Sequence, residues 1–443
     1  MDSLTQQPPF EHYEAAVAWL YRQLPLFEKQ GAAAYKPGLE RMEAMAALLG
    51  HPERRFRAIH IAGTNGKGSV AHLLANALHA AGYKVGLFTS PHIHRFTERI
   101  KVHGEELPAA FVLDFVNRYH HLVERFRPTF FEWTTLMAFE FFACRQVEVA
   151  VVEVGMGGRL DATNILMPDL GVITRIAFDH KQFLGDTLPQ IAAEKAGIMK
   201  QGMQVVIGRR QTETTAVYLQ KAKEQQAQLL WAEDEAVVTW GNLLPDGYRC
   251  AIIQEGSKSI ELSTPLTADY QAANILTAWV AFKTWMQKQG RITEATSAFK
   301  QGARLTVFRL KGRWQRLKVN VLAFADVAHN QEGFEAVSKQ IQALCLKHCR
   351  WVLGVAADKD LRALIACLPS VGVSYYCCAA ASPRALSAAQ LTASLKEAGL
   401  HAQAYNSVKE AFEAALRDCE EGEGVVVAGS HFVLAELPEE LFE

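Results

Sequence analysis

A glycine-rich segment near the N-terminus has the residue types of a phosphate-binding loop. Residues 60–70 read HIAGTNGKGSV, an apolar run followed by glycines, a lysine and a hydroxyl residue. The usual phosphate loop carries Ser or Thr directly after the lysine, whereas here Gly68 follows Lys67 and the hydroxyl belongs to Ser69. A strand leading into such a loop and then a helix aims backbone N–H groups at one point, which binds phosphate. The segment predicts a nucleotide site, with an ordinary strand-to-helix turn as the alternative.

Further along the chain, three separate residues have side chains suited to bind Mg²⁺, which prefers hard ligands. Ser90 ends the run VGLFTS, Glu153 emerges from the apolar run VAVVEVG, and His180 ends ITRIAFDH. Because loops at the carboxyl ends of parallel strands share one crevice, these residues should lie near Lys67. Taken singly, Ser90 could be only a turn residue before a proline, and His180 only a buried structural imidazole.

One lysine is predicted on the apolar face of a helix. Thr187 and Gln190 match a capping box, so a helix should begin near Leu188 and end near Lys200. At about 100° per residue, Lys195 shares a face with apolar side chains. A buried ammonium is costly and its pKa falls, and a neutral amine beside a metal can react with carbon dioxide to form a carbamate. The alternative is a lysine whose stem lies on the core while its ammonium reaches solvent.

Alternating apolar runs and helical segments predict the elements that hold these residues. From about residue 56, strands such as RFRAIHIA, VEVAVVEVG and DLGVITRIAF alternate with helices, as in a parallel sheet with crossover helices. Residues 228–264 contain an expected antiparallel hairpin around EGSK, and a second strand–helix series begins at VNVLAFADVAHN. The predicted fold class is therefore α/β, with one domain over residues 1–305 and another over residues 306–443.

Composition excludes some classes of function. The 46 Lys and Arg residues nearly balance the 47 Asp and Glu residues, so the chain has no overall charge that favours nucleic acid or an anionic membrane. The first residues lack a signal-peptide pattern, and no apolar stretch is long enough to span a bilayer. We expect a cytoplasmic protein with no nucleic-acid or membrane partner.

Several long motifs resemble those of folylpolyglutamate synthases and dihydrofolate synthases of the Mur ligase superfamily. They are HIAGTNGKGSV, FTSPHIHRFTERI, FFEWTTLMAFEFF, VVEVGMGGRLDATN, DHKQFLGDTLPQIAAEKAGIMK and DVAHNQEGF. The displaced hydroxyl is a mark of that family, whose loop reads GTNGKGS. The resemblance implies an N-terminal phosphate-loop domain of the Mur ligase central type, with a parallel sheet and a small antiparallel part, and a Rossmann-like C-terminal domain.

The resemblance also implies an ATP-dependent ligase. ATP would phosphorylate a carboxylate of dihydropteroate or of a reduced folate, and the amine of L-glutamate would attack the acyl phosphate. The implied cofactors are ATP and Mg²⁺, with a monovalent cation as a further candidate, and the implied state is a monomer. A Mur-type ligase acting on another carboxylate, a phosphate-loop kinase or ATPase, and a nucleotide-binding regulator without turnover remain alternatives.

Site residues follow from the same resemblance, motif by motif. Those expected to bind ATP are Gly63, Thr64, Asn65, Gly66, Lys67, Gly68, Ser69, Asn274, Arg313 and Asp326. The expected metal ligands are Ser90, Glu153 and His180. The expected folate-binding residues are Thr129, Leu160, Asp161 and Ala162. The expected catalytic residues are Lys67, Lys195, His180 and His329, with Lys195 carbamylated.

Two motifs depart from the family pattern. Residues 311–313 read KGR in place of PGR, and DVAHNQ places Val327 and Gln331 where the family has glycine and proline. Valine does not readily adopt a positive φ angle. Either that loop has a different shape, or the backbone there does not require glycine.

Overall fold

The computed structural model describes residues 8–25, 36–244 and 247–442. Its contacts group the chain into two compact units, Met1–Pro265 with Gln271–Arg309, and Leu266–Tyr270 with Leu310–Glu443. The division expected between residues 305 and 306 stays a prediction about domains. The contacts themselves change unit after Arg309 and place the segment Leu266–Tyr270 in the second unit. None of the helices in the described ranges is long and apolar enough to cross a membrane.

The first unit is built on a large, mostly parallel sheet. In chain order its described strands are β1 (Arg57–Ala62), β2 (Val85–Phe88), β3 (Ile100–Val102), β4 (Glu105–Glu106), β5 (Val149–Glu153), β6 (Leu170–Ile173), β7 (Gln204–Ile207) and β8 (Gln228–Trp231). Their order across the sheet is β4-β3-β2-β5-β1-β6-β7-β8. Strand β3 pairs in antiparallel fashion with both β2 and β4, and the other pairs are parallel. The order places β1, which leads into the glycine-rich loop, between β5 and β6.

Helices cover both faces of this sheet. The described helices of the first unit are α1 (Tyr13–Gln23), α2 (Glu40–Leu48), α3 (Lys67–Ala80), α4 (Ala109–Phe126), α5 (Phe130–Cys144), α6 (Lys181–Leu184), α7 (Leu188–Ala196), α8 (Thr212–Gln225), α9 (Ala232–Glu235), α10 (Gln271–Lys288) and α11 (Ala295–Arg304). One buried cluster joins α1, α2, α4 and α5 to the sheet, and a second joins α7 and α8 to it. Helices α10 and α11 contact α3. Because both faces are covered, the central strands are continuous apolar runs.

A separate antiparallel sheet belongs to the first unit. It consists of β9 (Val237–Leu243), β10 (Arg249–Glu255) and β11 (Lys258–Thr264), in the order β11-β10-β9. The hairpin expected around EGSK is confirmed as β10 and β11. Residues 228–231, which the sequence grouped with this part of the chain, instead pair with β7 in the parallel sheet.

The second unit has its own sheet. Its described strands are β12 (Gln315–Arg316), β13 (Leu322–Asp326), β14 (Cys349–Leu353), β15 (Val373–Cys377), β16 (Ala402–Ala404) and β17 (Gly424–Ala428), in the order β12-β13-β17-β14-β15-β16. Strand β12 is antiparallel to β13, and the remaining pairs are parallel. The described helices are α12 (Gln331–Ala343), α13 (Leu361–Ile365), α14 (Ala388–Glu397), α15 (Val408–Arg417) and α16 (His431–Ala435). The predicted α/β fold class is confirmed in both units.

Two predicted elements are too long. Helix α7 begins as expected at a capping box formed by Thr187 and Gln190, but it ends at Ala196 rather than near Lys200, with Gly197 as its C-cap. Strand β6 ends at Ile173, although the sequence extended it through residue 178. Gly197 has a φ angle of −60°, so it does not end the helix through the left-handed conformation common at helix ends. The early end of β6 results from its contacts with the glycine-rich loop.

Candidate active site

The glycine-rich loop joins β1 to α3 and has the conformation of an anion-binding turn. Gly63 has a φ angle of 146° and Gly66 a φ angle of 92°, values that side chains rarely adopt. A Cβ atom on Gly63 would lie 1.8 Å from Thr174 Oγ1, so a side chain there has no space. Thr174 Oγ1 in turn donates a hydrogen bond of 2.7 Å to the carbonyl oxygen of Asn65. Thr174, directly after β6, therefore packs against the glycine-rich loop and stabilises its conformation.

The same contacts explain why β6 ends early. The Thr64 N–H donates to the Arg175 carbonyl oxygen at 2.7 Å, and the Thr64 hydroxyl is hydrogen-bonded to the backbone of Ala177. Residues 174–177 therefore follow the glycine-rich loop instead of continuing the sheet. Sequence periodicity contains no information about such a contact between distant segments.

Two side chains of the first turn of α3 suit a bound phosphate. Lys67 Nζ donates to the carbonyl oxygen of Thr64 at 3.1 Å, which holds the ammonium beside the loop. The Ser69 hydroxyl is buried and has no hydrogen-bond partner among the described residues. A buried hydroxyl without a partner is costly, and it lies at the N-terminus of a 14-residue helix, where an anion is favoured. These observations fit a nucleotide phosphate.

Two of the three predicted metal ligands lie together. Glu153 is the last residue of β5, its carboxylate Oε2 accepts the Ser90 N–H at 3.2 Å, and its Oε1 lies 4.0 Å from Lys67 Nζ. Only 4% of Glu153 is exposed. A buried carboxylate beside a hydroxyl residue and the phosphate-loop lysine suits Mg²⁺, which takes few protein oxygens and keeps several waters.

The third predicted ligand, His180, stands on a strained backbone. Its φ angle of 50° is left-handed, and it precedes α6. The Asp179 carboxylate accepts the His180 N–H at 2.9 Å, and its other oxygen lies 3.9 Å from His180 Nε2. A non-glycine residue in this conformation is uncommon and is often found at functional sites. Asp179 thus supports the conformation of His180.

Lys195 is buried, which agrees with its predicted place on an apolar helix face and argues against the alternative of an ammonium that reaches solvent. Only 4% of the residue is exposed, and Nζ donates a hydrogen bond of 2.9 Å to the carbonyl oxygen of Gly63. Burial lowers the pKa of Lys195 to about 7, and the nearby Lys67 ammonium adds to this effect, while Asp179 and Asp161 oppose it. A large fraction of this amine is therefore neutral near pH 7, which is the form that reacts with carbon dioxide.

Asn274 lies against the glycine-rich loop from α10. Its Oδ1 occupies the space that a side chain on Gly66 would need, since a Cβ atom there would lie 2.2 Å away. Its Nδ2 donates to Gln271 Oε1 at 2.8 Å. The structure thus places Asn274, which the sequence assigned to ATP, in contact with the loop of Lys67.

The expected folate-binding residues have visible structural roles. Thr129 caps α5, because its hydroxyl accepts the Glu132 N–H at 3.1 Å. Asp161 is buried, and its carboxylate accepts N–H groups from Met156 at 2.9 Å and from Thr163 at 3.0 Å. Burial raises the pKa of Asp161, and these hydrogen bonds oppose the shift. Leu160 is partly buried and Ala162 is buried.

Asp326 ends β13 in the second unit and organises the neighbouring turn. Its carboxylate accepts hydrogen bonds from the Tyr270 hydroxyl at 2.6 Å, the Trp314 N–H at 2.8 Å and the Ala328 N–H at 2.9 Å. Burial raises the pKa of Asp326, while the Arg313 guanidinium and these donors act against it. Tyr270 was not anticipated from the sequence, because it lies 56 residues before Asp326.

The departures in the DVAHNQ loop do not distort it. Val327 has no positive φ angle, so the backbone does not require glycine there. Asn330 caps α12 by accepting the Gly333 N–H at 3.0 Å, and Gln331 is the first helical residue. His329 donates through Nδ1 to the Val327 carbonyl oxygen at 2.9 Å. The loop therefore keeps a regular helix start with valine and glutamine in place.

Two Mur ligase domain families match this chain. The Mur ligase middle domain matches residues 61–282, which is half of the chain, and the Mur ligase glutamate ligase domain matches residues 312–431. The folylpolyglutamate synthase of Lacticaseibacillus casei is 33% identical, over 90% of this chain and 94% of that protein. The dihydrofolate synthase/folylpolyglutamate synthase of Escherichia coli K12 is 34% identical, over 91% of this chain and 90% of that protein.

Solved structures agree with these relatives. E. coli FolC in complex with DHPP and ADP superimposes with a TM-score of 0.82 at 30% identity, covering 97% of each chain. A bifunctional folylpolyglutamate synthase/dihydrofolate synthase with Mn, AMPPNP and L-glutamate bound superimposes with a TM-score of 0.80 at 29% identity, covering 97% of this chain and 98% of that one.

Proposed function

The chain belongs to the folylpolyglutamate synthase and dihydrofolate synthase family of Mur ligases, and we propose that its active centre is the set Lys67, Ser90, Glu153, His180 and Lys195. It is an ATP-dependent ligase that joins glutamate to a folate-type carboxylate. One observation supports this site most directly. The phosphate-loop ammonium of Lys67 lies 4.0 Å from the buried Glu153 carboxylate, which also holds the Ser90 backbone.

The reaction has two steps. In the first, a carboxylate oxygen of the acceptor forms a bond to the γ-phosphorus of ATP, and the bond from that phosphorus to ADP breaks. In the second, the glutamate nitrogen bonds to the acyl carbon, the carbon–oxygen bond to phosphate breaks, and the nitrogen loses a proton. The first transition state gathers negative charge on the phosphoryl oxygens, and the second gathers it on the acyl oxygen and the departing phosphate, so positive charge and N–H groups held in advance stabilise both.

Residues of this chain supply those groups. Lys67 and the N–H groups of residues 65–69 bind the nucleotide phosphates, and Ser69 adds its hydroxyl. Ser90, Glu153 and His180 would hold a divalent cation, which supplies Lewis acidity at the transferred phosphoryl group. Asn274, Arg313 and Asp326 are proposed to bind ATP, and His329 is proposed to take part in catalysis. Leu160, Asp161, Ala162 and Thr129 bind the acceptor.

Lys195 is proposed to act as its carbamate. The neutral amine forms a nitrogen–carbon bond to carbon dioxide and releases one proton, which converts the amine into a carbamate with anionic oxygens. Its burial and its pKa of about 7 support this change, since an amine that is neutral near pH 7 is available to react. The conversion also removes the repulsion between the Lys195 and Lys67 ammonium groups.

The finer assignments follow the resemblance of the sequence motifs. The acceptor is dihydropteroate, a reduced folate or both, the amine is L-glutamate, and the metal is Mg²⁺, with a monovalent cation as an addition. We further propose that the chain works as a monomer in the cytoplasm. Size-exclusion chromatography with light scattering tests whether the chain is a monomer, and a dimer at micromolar concentration would contradict this.

A glutamate-incorporation assay tests the function. Labelled L-glutamate, ATP and Mg²⁺ are supplied with dihydropteroate or with tetrahydrofolate, and incorporation is compared with ADP release. We expect equal amounts of ADP and amide product with at least one acceptor and none with the Lys67→Ala variant. ADP release without incorporation would indicate an ATPase or kinase, and stimulation only by UDP-linked muropeptides would indicate a different Mur ligase.

A further inference from the structure

His60 is a buried polar residue that the proposed reaction does not use. It lies in the middle of β1, between the glycine-rich loop and the start of the strand, and it has no exposed surface. Its Nε2 lies 2.8 Å from Thr163 Oγ1. Its Nδ1 is buried and has no hydrogen-bond partner among the described residues. A side chain that merely filled this space would do so better without an unsatisfied nitrogen.

The direction of the hydrogen bonds follows from counting protons. The Asp161 carboxylate is a pure acceptor when ionised, and it already takes backbone N–H groups from Met156 and Thr163. The Thr163 hydroxyl has one proton and donates it to Asp161 Oδ1. It must therefore accept from His60 Nε2–H. Burial lowers the pKa of His60 to about 3, so the ring is neutral and carries its proton on Nε2.

This chain of hydrogen bonds ends in the loop of residues 155–165. Asn164 Nδ2 in that loop donates to the Gly197 carbonyl oxygen at 3.1 Å, directly after α7. The Arg159 N–H donates to the Glu194 carbonyl oxygen at 2.8 Å. The two backbones are so close that a Cβ atom on Gly158 would lie 3.0 Å from the Lys195 carbonyl oxygen. The loop thus connects the strand of His60 to the helix of Lys195.

We propose that His60 is a positioning residue for the acceptor. Through Thr163 it orients the Asp161 carboxylate, which determines the shape of the loop carrying Leu160, Asp161 and Ala162. The proposal rests on the proposed function, because that loop is where the folate-type acceptor is expected to bind. The relay belongs to the acceptor side of the site, so its loss weakens acceptor binding while nucleotide binding, which depends on the loop of Lys67, is retained.

Matched substitutions isolate the relay. His60→Gln keeps an N–H near the position of Nε2, whereas His60→Asn is shorter and cannot reach Thr163. Thr163→Ser keeps the hydroxyl, whereas Thr163→Val keeps the shape and removes it. We expect His60→Asn and Thr163→Val to raise the KM for the acceptor about tenfold, since each leaves a buried group unsatisfied. We expect the KM for ATP to change by less than about twofold, and His60→Gln and Thr163→Ser to resemble the wild type.

A double-mutant cycle tests whether the two residues act through one bond. The variant carrying both His60→Asn and Thr163→Val should raise the acceptor KM no further than either alone, because the same relay is broken in each case. Additive effects, or equal increases in the KM values for acceptor and ATP, would overturn the proposal. So would an acceptor KM that follows thermal stability across all four single variants, since that would indicate a purely structural role.

Hydrogen–deuterium exchange provides a readout that does not depend on the reaction. Amides of residues 155–165 should lose protection in His60→Asn and Thr163→Val and keep it in His60→Gln and Thr163→Ser. Unchanged protection in every variant would refute the relay even if the protein were an active ligase. A wild-type protein that incorporates no glutamate would refute the proposed function, and exchange would still decide whether His60 orders this loop.

Discussion

Lys195 Nζ donates a hydrogen bond of 2.9 Å to the Gly63 carbonyl oxygen, on the loop that carries Lys67. The contact places a buried amine against the glycine-rich loop, where the Lys67 ammonium helps to lower the pKa of Lys195. Two lysines near one loop are unfavourable unless an anion binds between them or one of them loses its charge. This relationship connects the proposed modification to nucleotide binding.

Stability should depend on pH through Lys195. Its folded pKa is about 7, whereas an unfolded lysine titrates at about 10.4, so between these values the unfolded chain holds a proton that the folded chain lacks. The free energy of unfolding should therefore rise with pH across this window, by at most about 1.4 kcal/mol per unit. Urea unfolding of the wild type and of Lys195→Met in CO2-free buffer measures the effect. Parallel pH curves for the two proteins would contradict the low pKa.

The carbamate makes a separate prediction for activity. Lys195→Ala should lose at least about 100-fold in kcat, because an electrostatic contribution at the phosphoryl group is removed. Added short carboxylic acids should restore part of the rate. Lys223→Ala, which changes an exposed lysine on α8, is the control and should be unaffected. A wild-type protein without a carbamate signal in ¹³C NMR under ¹³CO2 would contradict the modification.

Two glycines with similar backbones distinguish strain from steric conflict. Gly66 has a φ of 92°, and a Cβ atom there would lie 2.2 Å from Asn274 Oδ1, whereas Gly82 has a φ of 87° and open space around it. Both alanine substitutions should cost about 1 kcal/mol of stability through φ strain. Only Gly66→Ala should also raise the KM for ATP, by about tenfold or more, since it displaces the loop and Asn274. Equal KM values for ATP in Gly66→Ala and Gly82→Ala would show that Asn274 moves aside without affecting ATP binding.

The metal assignment predicts a selective defect in Glu153→Gln. Loss of the charge should raise the Mg²⁺ concentration needed for half-maximal activity by about tenfold or more, because Mg²⁺ prefers anionic oxygen ligands. Glu148→Gln changes an exposed carboxylate just before the same strand, where its side chain accepts the Lys84 N–H at 2.7 Å. The metal requirement of this control should match that of the wild type. If the two variants needed similar Mg²⁺ concentrations for half-maximal activity, Glu153 would not be a metal ligand.

In the second unit, Asp326 should matter more for stability than a single partner does. Asp326→Asn introduces an amide where three donors point, so it should cost about 1–3 kcal/mol, whereas Tyr270→Phe loses one hydrogen bond and should cost about 1 kcal/mol. Chemical denaturation followed by tryptophan fluorescence measures both. A larger loss in Tyr270→Phe would mean that the tyrosine, and not the carboxylate, organises the turn around Trp314.

Local patterns in the chain were sufficient for much of the fold. The apolar runs that predicted the parallel sheets, the turn around EGSK and the capping box at Thr187 each depend on neighbouring residues, and the structure contains all three. Helical periodicity placed Lys195 on an apolar face but left open whether its ammonium reaches solvent, and the structure shows the residue buried. The prediction failed where distant segments meet. Strand β6 was expected to reach residue 178 but ends at Ile173. The backbone that follows it is hydrogen-bonded to Thr64 instead of continuing the sheet.

By itself, the sequence determined the α/β class, the glycine-rich loop with Lys67, and the residue types at the ends of the strands. These features depend on residues that are close together in the sequence: the glycines, the charged residues and the spacing of the apolar residues. Only the tertiary structure decided which side chains meet. The contacts of Lys195 with Gly63, of Glu153 with Ser90 and of Tyr270 with Asp326 join residues far apart in the chain. So does the link from His60 through Thr163 to the loop of residues 155–165. Such contacts depend on strand order and helix packing, and no local pattern specifies them.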